Sequence, residues 1–205
     1  MSAQPNPPSP LVLASTSPFR RALLERLGLE FQVMAPDADE SARPGEIPQD
    51  LVMRLAEAKA RAVAPAFPRG LIIGSDQVAY CDGRILTKPG GREAAIAQLE
   101  ASAGRRVSFF TGLCLLDAGA DRVWVEMVPF HVQFRPLSRA QIEAYLDREQ
   151  PWNCAGSFKS EGLGVALFQR MEGEDPSALI GLPLIRLVSL LAEAGVEVLA
   201  PVSAA

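Results

Sequence analysis

From Leu11 the chain runs through a short apolar stretch, LVLAS, into the polar corner Ser15-Thr16-Ser17, and then directly into PFRRALLERLG. This passage constrains the fold most, because the apolar period changes from that of a buried strand to that of a helix across one tight turn. Ser17 is placed as an N-cap and Pro18 suits the first helical position. Leu23, Leu24 and Leu27 supply an apolar face, and Gly28 stops the helix. Strand and helix patterns then keep mixing. A second short strand leads to an acidic loop, PDADESARPGEIP, and an amphipathic helix runs from Pro48 through LVMRLAEAKARAVA. LIIGSDQVAY reads as a strand, with the turn Cys81-Asp82-Gly83-Arg84 leading into ILTKPG. A helix is predicted over Arg92 to Ala101, and VSFFTGLCLLD and VWVEMVPFHVQFR alternate like an antiparallel hairpin. Capped helices follow at Ser138 to Asp147 and Pro183 to Ala194, the latter ended by Gly195. The class is α/β with a mixed sheet.

At 205 residues the chain can bury one good core. Residues 11–205 are therefore expected to form a single domain, of two lobes at most, behind a flexible proline-rich tail at residues 1–10. That tail lacks a basic segment followed by an apolar one, and no stretch reaches the roughly 18 apolar residues of a membrane span. A cytoplasmic protein without a membrane partner is expected. Cys81, Cys114 and Cys154 contain no C-x-x-C pair and read as reduced thiols. A net charge of -4 offers no general positive field for a nucleic acid polymer. The single histidine, His131, alternates within a strand, and one imidazole cannot build a histidine triad or metal site.

Several charges are oddly placed. Arg20 and Arg21 fall in the first turn of a helix, where the dipole disfavours cations unless an anion also binds there. Asp76 follows the apolar LIIGS, where a carboxylate would carry a desolvation cost that a metal ion or a catalytic water could offset. Leu55, Lys59 and Val63 are spaced four apart, so the lysine shares an apolar helix face, either snorkelling or aimed at a cleft. Asp37, Asp39 and Glu40 cluster in one loop, and one of them could complete a magnesium site with Asp76. The glycine-rich NCAGSFKSEGLGVALF allows close approach of backbone to a ligand. Walker A, dinucleotide-binding and nucleophile-elbow patterns are all missing from the sequence. The residues alone point to an anion site beside a hard-metal site.

Taken together, LASTSPFRRALLERLGL, PDADE, RLAEAKA, IIGSDQV, DGRILTKP, CAGSFKSEGLG and GLPLIRL resemble the successive motifs of the Maf family, from Leu11 to about Gly195. The resemblance implies an elongated mixed sheet flanked by helices, with a central cleft between two lobes, similar to inosine triphosphate pyrophosphatases. It implies hydrolysis of a nucleoside triphosphate to the monophosphate and diphosphate with a divalent cation, magnesium or manganese. It makes Asp76 the catalytic proton acceptor and Ser15, Arg20, Lys59 and Lys88 the contacts to the triphosphate. Glu40 joins Asp76 at the metal. Phe19, Gln77 and Glu161 match the branch that acts on 7-methyl-GTP, which usually carries tryptophan where this chain has Phe19. A cationic methylated guanine favours an aromatic face and a carboxylate. The alternatives are a dTTP or UTP pyrophosphatase and a non-catalytic nucleotide-binding regulator of cell division. A homodimer is compatible with the resemblance, and the expected partner is a small nucleotide.

Overall fold

The strand, corner and helix at the start of the chain form as their residues dictate. Leu11–Ala14 is β1, buried throughout, and Pro18–Glu25 is α1. Ser17 is extended, and its hydroxyl accepts from Arg20 N at 3.4 Å. Gly28 turns the chain away with φ +67°. The computed structural model describes residues 9–199, so most of the expected tail, and residues 200–205 of the expected domain, lie outside the described residues.

Beyond α1 come β2 (Gln32–Met34), α2 (Pro48–Val63), β3 (Leu71–Cys81), β4 (Arg84–Leu86) and α3 (Arg92–Ser102). The long hairpin β5 (Arg106–Asp117) and β6 (Arg122–Phe134) follows, then α4 (Arg139–Glu149), β7 (Phe168–Glu172) and α5 (Leu184–Glu193). The strands form one seven-stranded sheet in the order β2-β1-β3-β5-β6-β7, with β4 paired to β3. β1 is parallel to β2 and β3, and every other pairing is antiparallel. α4 begins with a capping box between Ser138 and Gln141. The glycine-rich stretch folds as 3-10 turns at Ala155–Ser157 and Leu163–Leu167, and its end continues into β7, a strand the sequence reading did not foresee.

Two glycines set the position of α2. A Cβ on Gly74 would stand 2.0 Å from Ala56 O, and one on Gly112 would stand 2.0 Å from Val52 O. The helix therefore lies with its backbone directly on β3 and β5, closer than any side chain would allow.

The apolar interior is divided along the long strands. At one end Leu13, Ile73, Leu113 and Leu115 pack on α1 and α5, while Val12, Ile72 and Cys114 pack on α2 from the other face. At the far end Ala79, Phe109, Phe130 and Phe134 pack with α3, α4 and Phe158. His131 sits on β6 with Nδ1 2.9 Å from Ser108 Oγ, in keeping with a structural role. The three cysteines are free.

Candidate active site

A cleft of about 810 Å³ opens between these two cores, in the size range of small-molecule sites. β1 and the start of α1 form one wall. Ser15, buried at the end of β1, accepts from Ser17 N at 3.1 Å, and Arg20 Nη1 reaches its hydroxyl at 3.5 Å. Arg20 is oriented by Nε donating to Gly181 O at 2.8 Å, a carbonyl that also accepts from Ser75 Oγ at 2.9 Å. Burial pulls the Arg20 guanidinium below its ordinary value, against the opposing pull of Asp76 and Glu40. Arg21 points elsewhere and pairs with Glu25 on the surface.

Asp76 stands in mid-strand on β3, opposite Gly112 on β5 and two residues after Gly74 on the same face. The glycines that admit α2 thus frame the carboxylate. α2 delivers Lys59, 5% exposed, whose Nζ lies 2.7 Å from Asp76 Oδ1 and 3.0 Å from Glu40 Oε2. The lysine belongs to the cleft rather than to the solvent. Among the described residues Asp76 Oδ2 takes no hydrogen bond, yet no buried polar side-chain atom is left without a partner. Oδ2 therefore faces the open cleft.

Among the described residues no three histidine, cysteine, aspartate or glutamate side chains gather into a metal-binding group. Two hard carboxylates do meet at one ammonium. The cleft also carries Lys88 and Lys159, giving four cations against Asp76, Glu40 and Glu161. Magnesium-type ions are commonly held by one or two carboxylates together with substrate phosphates. The donor chemistry of Asp76 and Glu40 fits such an ion.

Phe19, on α1, lines the same wall as Ser15 and Arg20, while Glu161 and Lys88, both exposed, line the other. Gln77 lies on the sheet face opposite Asp76. Its amide donates to Thr111 Oγ1, Ala178 O and Leu179 O at 3.0, 2.6 and 3.2 Å, so it fastens the turn Pro176–Ile180 beneath the cleft. Three residues that the sequence reading passed over support the Glu161 loop. Phe158 anchors it edge-on among Phe109, Phe134 and Phe168. Tyr145 OH accepts from Lys159 N at 3.0 Å. Glu149 Oε1 accepts from Leu163 N at 2.7 Å, and its carbonyl accepts from Lys159 Nζ at 2.6 Å. Lys159 carried a usable signal, since it stands two residues from Glu161 in the glycine-rich string; Tyr145 and Glu149, on a separate helix, carried none.

Residues 10–194 match the protein family described as Maf-like protein. A 7-methyl-GTP pyrophosphatase of Alcanivorax borkumensis is 59% identical over 187 residues, covering 91% of this chain and 95% of that protein. Proteins of the same name from Nitrosococcus oceani and Pseudomonas aeruginosa are 55% and 54% identical, covering 95% and 92% of this chain and 98% of each relative.

Proposed function

This chain belongs to the Maf-like protein family, and from that premise we propose that it hydrolyses 7-methyl-GTP to 7-methyl-GMP and diphosphate, clearing a modified nucleotide from the cytoplasmic pool. The observation that carries the chemistry is the buried Lys59 ammonium held between Asp76 and Glu40 beside Arg20. A triphosphate binds where cations converge and water is partly excluded. Arg20, Lys59 and Lys88 hold its oxygens, and Ser15 adds a hydroxyl. A divalent cation held by Asp76 and Glu40 would supply charge neutralisation for the leaving diphosphate.

In this reading Asp76 Oδ2 accepts a proton from the water that attacks the α-phosphorus. The new P–O bond forms as the bond from that phosphorus to the α–β bridging oxygen breaks, and diphosphate leaves toward the cations. Phe19 stacks on the methylated base, and Glu161 faces its positive charge. Gln77 acts on specificity from below, by fixing the carbonyls of the Pro176–Ile180 turn.

Hydrolysis in oxygen-18 water tests the reaction: label is expected in 7-methyl-GMP, with diphosphate as the second product. Label in inorganic phosphate with a nucleoside diphosphate product would mean cleavage at the γ-phosphorus. Asp76→Asn should fold normally and lose about 100-fold or more in turnover. Near-normal diphosphate release by the folded variant would remove Asp76 from the mechanism.

A further inference from the structure

A loop that presents a carboxylate to a charged ligand needs a fixed point, and residues 35–47 contain no helix or strand to provide one. The Glu40 side chain is 60% exposed, and its one ion pair among the described residues is the 3.0 Å contact with Lys59. The chain on either side of Glu40 is nevertheless tied down. Asp39 Oδ1 accepts from Ser41 N at 2.9 Å, closing a local turn around Glu40. Ser41 O accepts from Arg54 Nη2 at 3.0 Å.

Arg54 stands on α2, five residues before Lys59, and forks onto the end of the same loop. Its Nε and Nη2 donate to Glu46 Oε1 and Oε2 at 2.6 and 2.7 Å. Glu46 Oε2 also accepts from Arg43 N at 2.9 Å. The paired side chains are only 20% and 9% exposed. Arg54, with the Arg43 backbone, holds the Glu46 carboxyl down to about 2, so the fork stays ionised across the working range of the protein. A lysine could not replace it, because the three bonds require donors spread in one plane.

We infer that Arg54 and Glu46 form a positioning clamp that holds Glu40 at the cation-binding end of the cleft. The clamp touches neither substrate nor metal, and it acts through Glu40; the inference rests on the role proposed above for that residue. α2 then serves the site twice, directly through Lys59 and indirectly through the loop it grips.

The test measures Mn²⁺ binding by electron paramagnetic resonance, with the protein loaded with the α,β-methylene analogue of 7-methyl-GTP, alongside the manganese dependence of turnover. Arg54→Lys should raise the Mn²⁺ concentration for half-saturation about 10-fold, the usual loss when a residue supporting a metal ligand is removed. Turnover at saturating Mn²⁺ should stay near wild type, which separates positioning from general damage. Glu46→Gln cuts the same fork from the loop side and should act alike, with thermal midpoints confirming that each variant folds. In Arg54→Lys combined with Glu40→Gln, the loss should equal that of Glu40→Gln alone. Additive losses, or wild-type Mn²⁺ binding in both clamp variants while Glu40→Gln binds weakly, overturn the clamp. Unchanged binding in Glu40→Gln itself would instead remove Glu40 from the metal, and the clamp with it.

Discussion

Lys59 concentrates most of the physical chemistry of the site, since a buried ammonium is tolerated only where opposite charge and hydrogen bonds offset its lost hydration. Asp76 and Glu40 provide both. Its place on an apolar helix face was readable from four-residue spacing, and Asp76 was readable as an acid stranded in an apolar strand. Other residues were hidden. Gly181 stands 161 residues from Arg20, whose Nε bonds its carbonyl, and the Gln77 amide nitrogen donates to Thr111, Ala178 and Leu179, 34, 101 and 102 residues away. No local pattern encodes such pairings, because backbone acceptors exist at every residue. For Glu161 the expectation concerns charge. Glu161→Gln should raise KM for 7-methyl-GTP and leave plain GTP nearly unchanged, shifting discrimination roughly 5- to 150-fold for a contact of about 1 to 3 kcal/mol. Phe19→Ala should weaken both substrates, since each base has a π-face. The ratio of kcat/KM for 7-methyl-GTP over GTP decides the matter, and an unchanged ratio in Glu161→Gln would end the charge-reading account.

Among the elements, α2 is seated closely on the sheet, because Gly74 and Gly112 let its backbone approach at two points. Its amphipathic pattern gave away its existence and extent. Its depth was not legible, since a glycine in a strand signals close approach without saying what approaches. β7 and the 3-10 turns were missed for a related reason: short glycine-rich segments have no period to read. Gly74→Ala and Gly112→Ala should each force α2 outward, at a cost of about 2 to 3 kcal/mol. For a chain of this size that corresponds to a fall in Tm of roughly 5 to 10 °C. Turnover should fall further than stability alone explains, because Lys59 and Arg54 ride on the displaced helix. Alanine variants with wild-type Tm and turnover would show that the helix can lift freely.

For the whole molecule, stability should decline on the alkaline side. Burial pushes the Cys114 thiol up to about 12 and raises the Cys81 thiol and the Tyr145 phenol as well. The unfolded thiol ionises near its ordinary value of 9.0 while the folded one stays neutral. The stabilisation is therefore complete below pH 9 and drains away as pH climbs toward 12. Tm measured from pH 8 to 11 should fall less steeply in Cys114→Ala than in wild type; equal slopes would clear Cys114 of the effect. We further propose that the described part of the expected 11–205 domain, residues 11–199, unfolds as one unit. β3, β5 and β6 each contribute side chains to both cores, so neither half can dissolve without fraying strands that the other half needs. Denaturant curves followed by activity and by circular dichroism should coincide, and two separated transitions would show independent halves. The same continuity governs how the cleft moves. β3 and β5, strands of 11 and 12 residues, pass beneath it without interruption, so its floor behaves as a stiff plate rather than a hinge. A nucleotide would be gripped by its rim, and scattering profiles with and without ligand should superimpose while hydrogen exchange slows in the loops around residues 35–47 and 153–163.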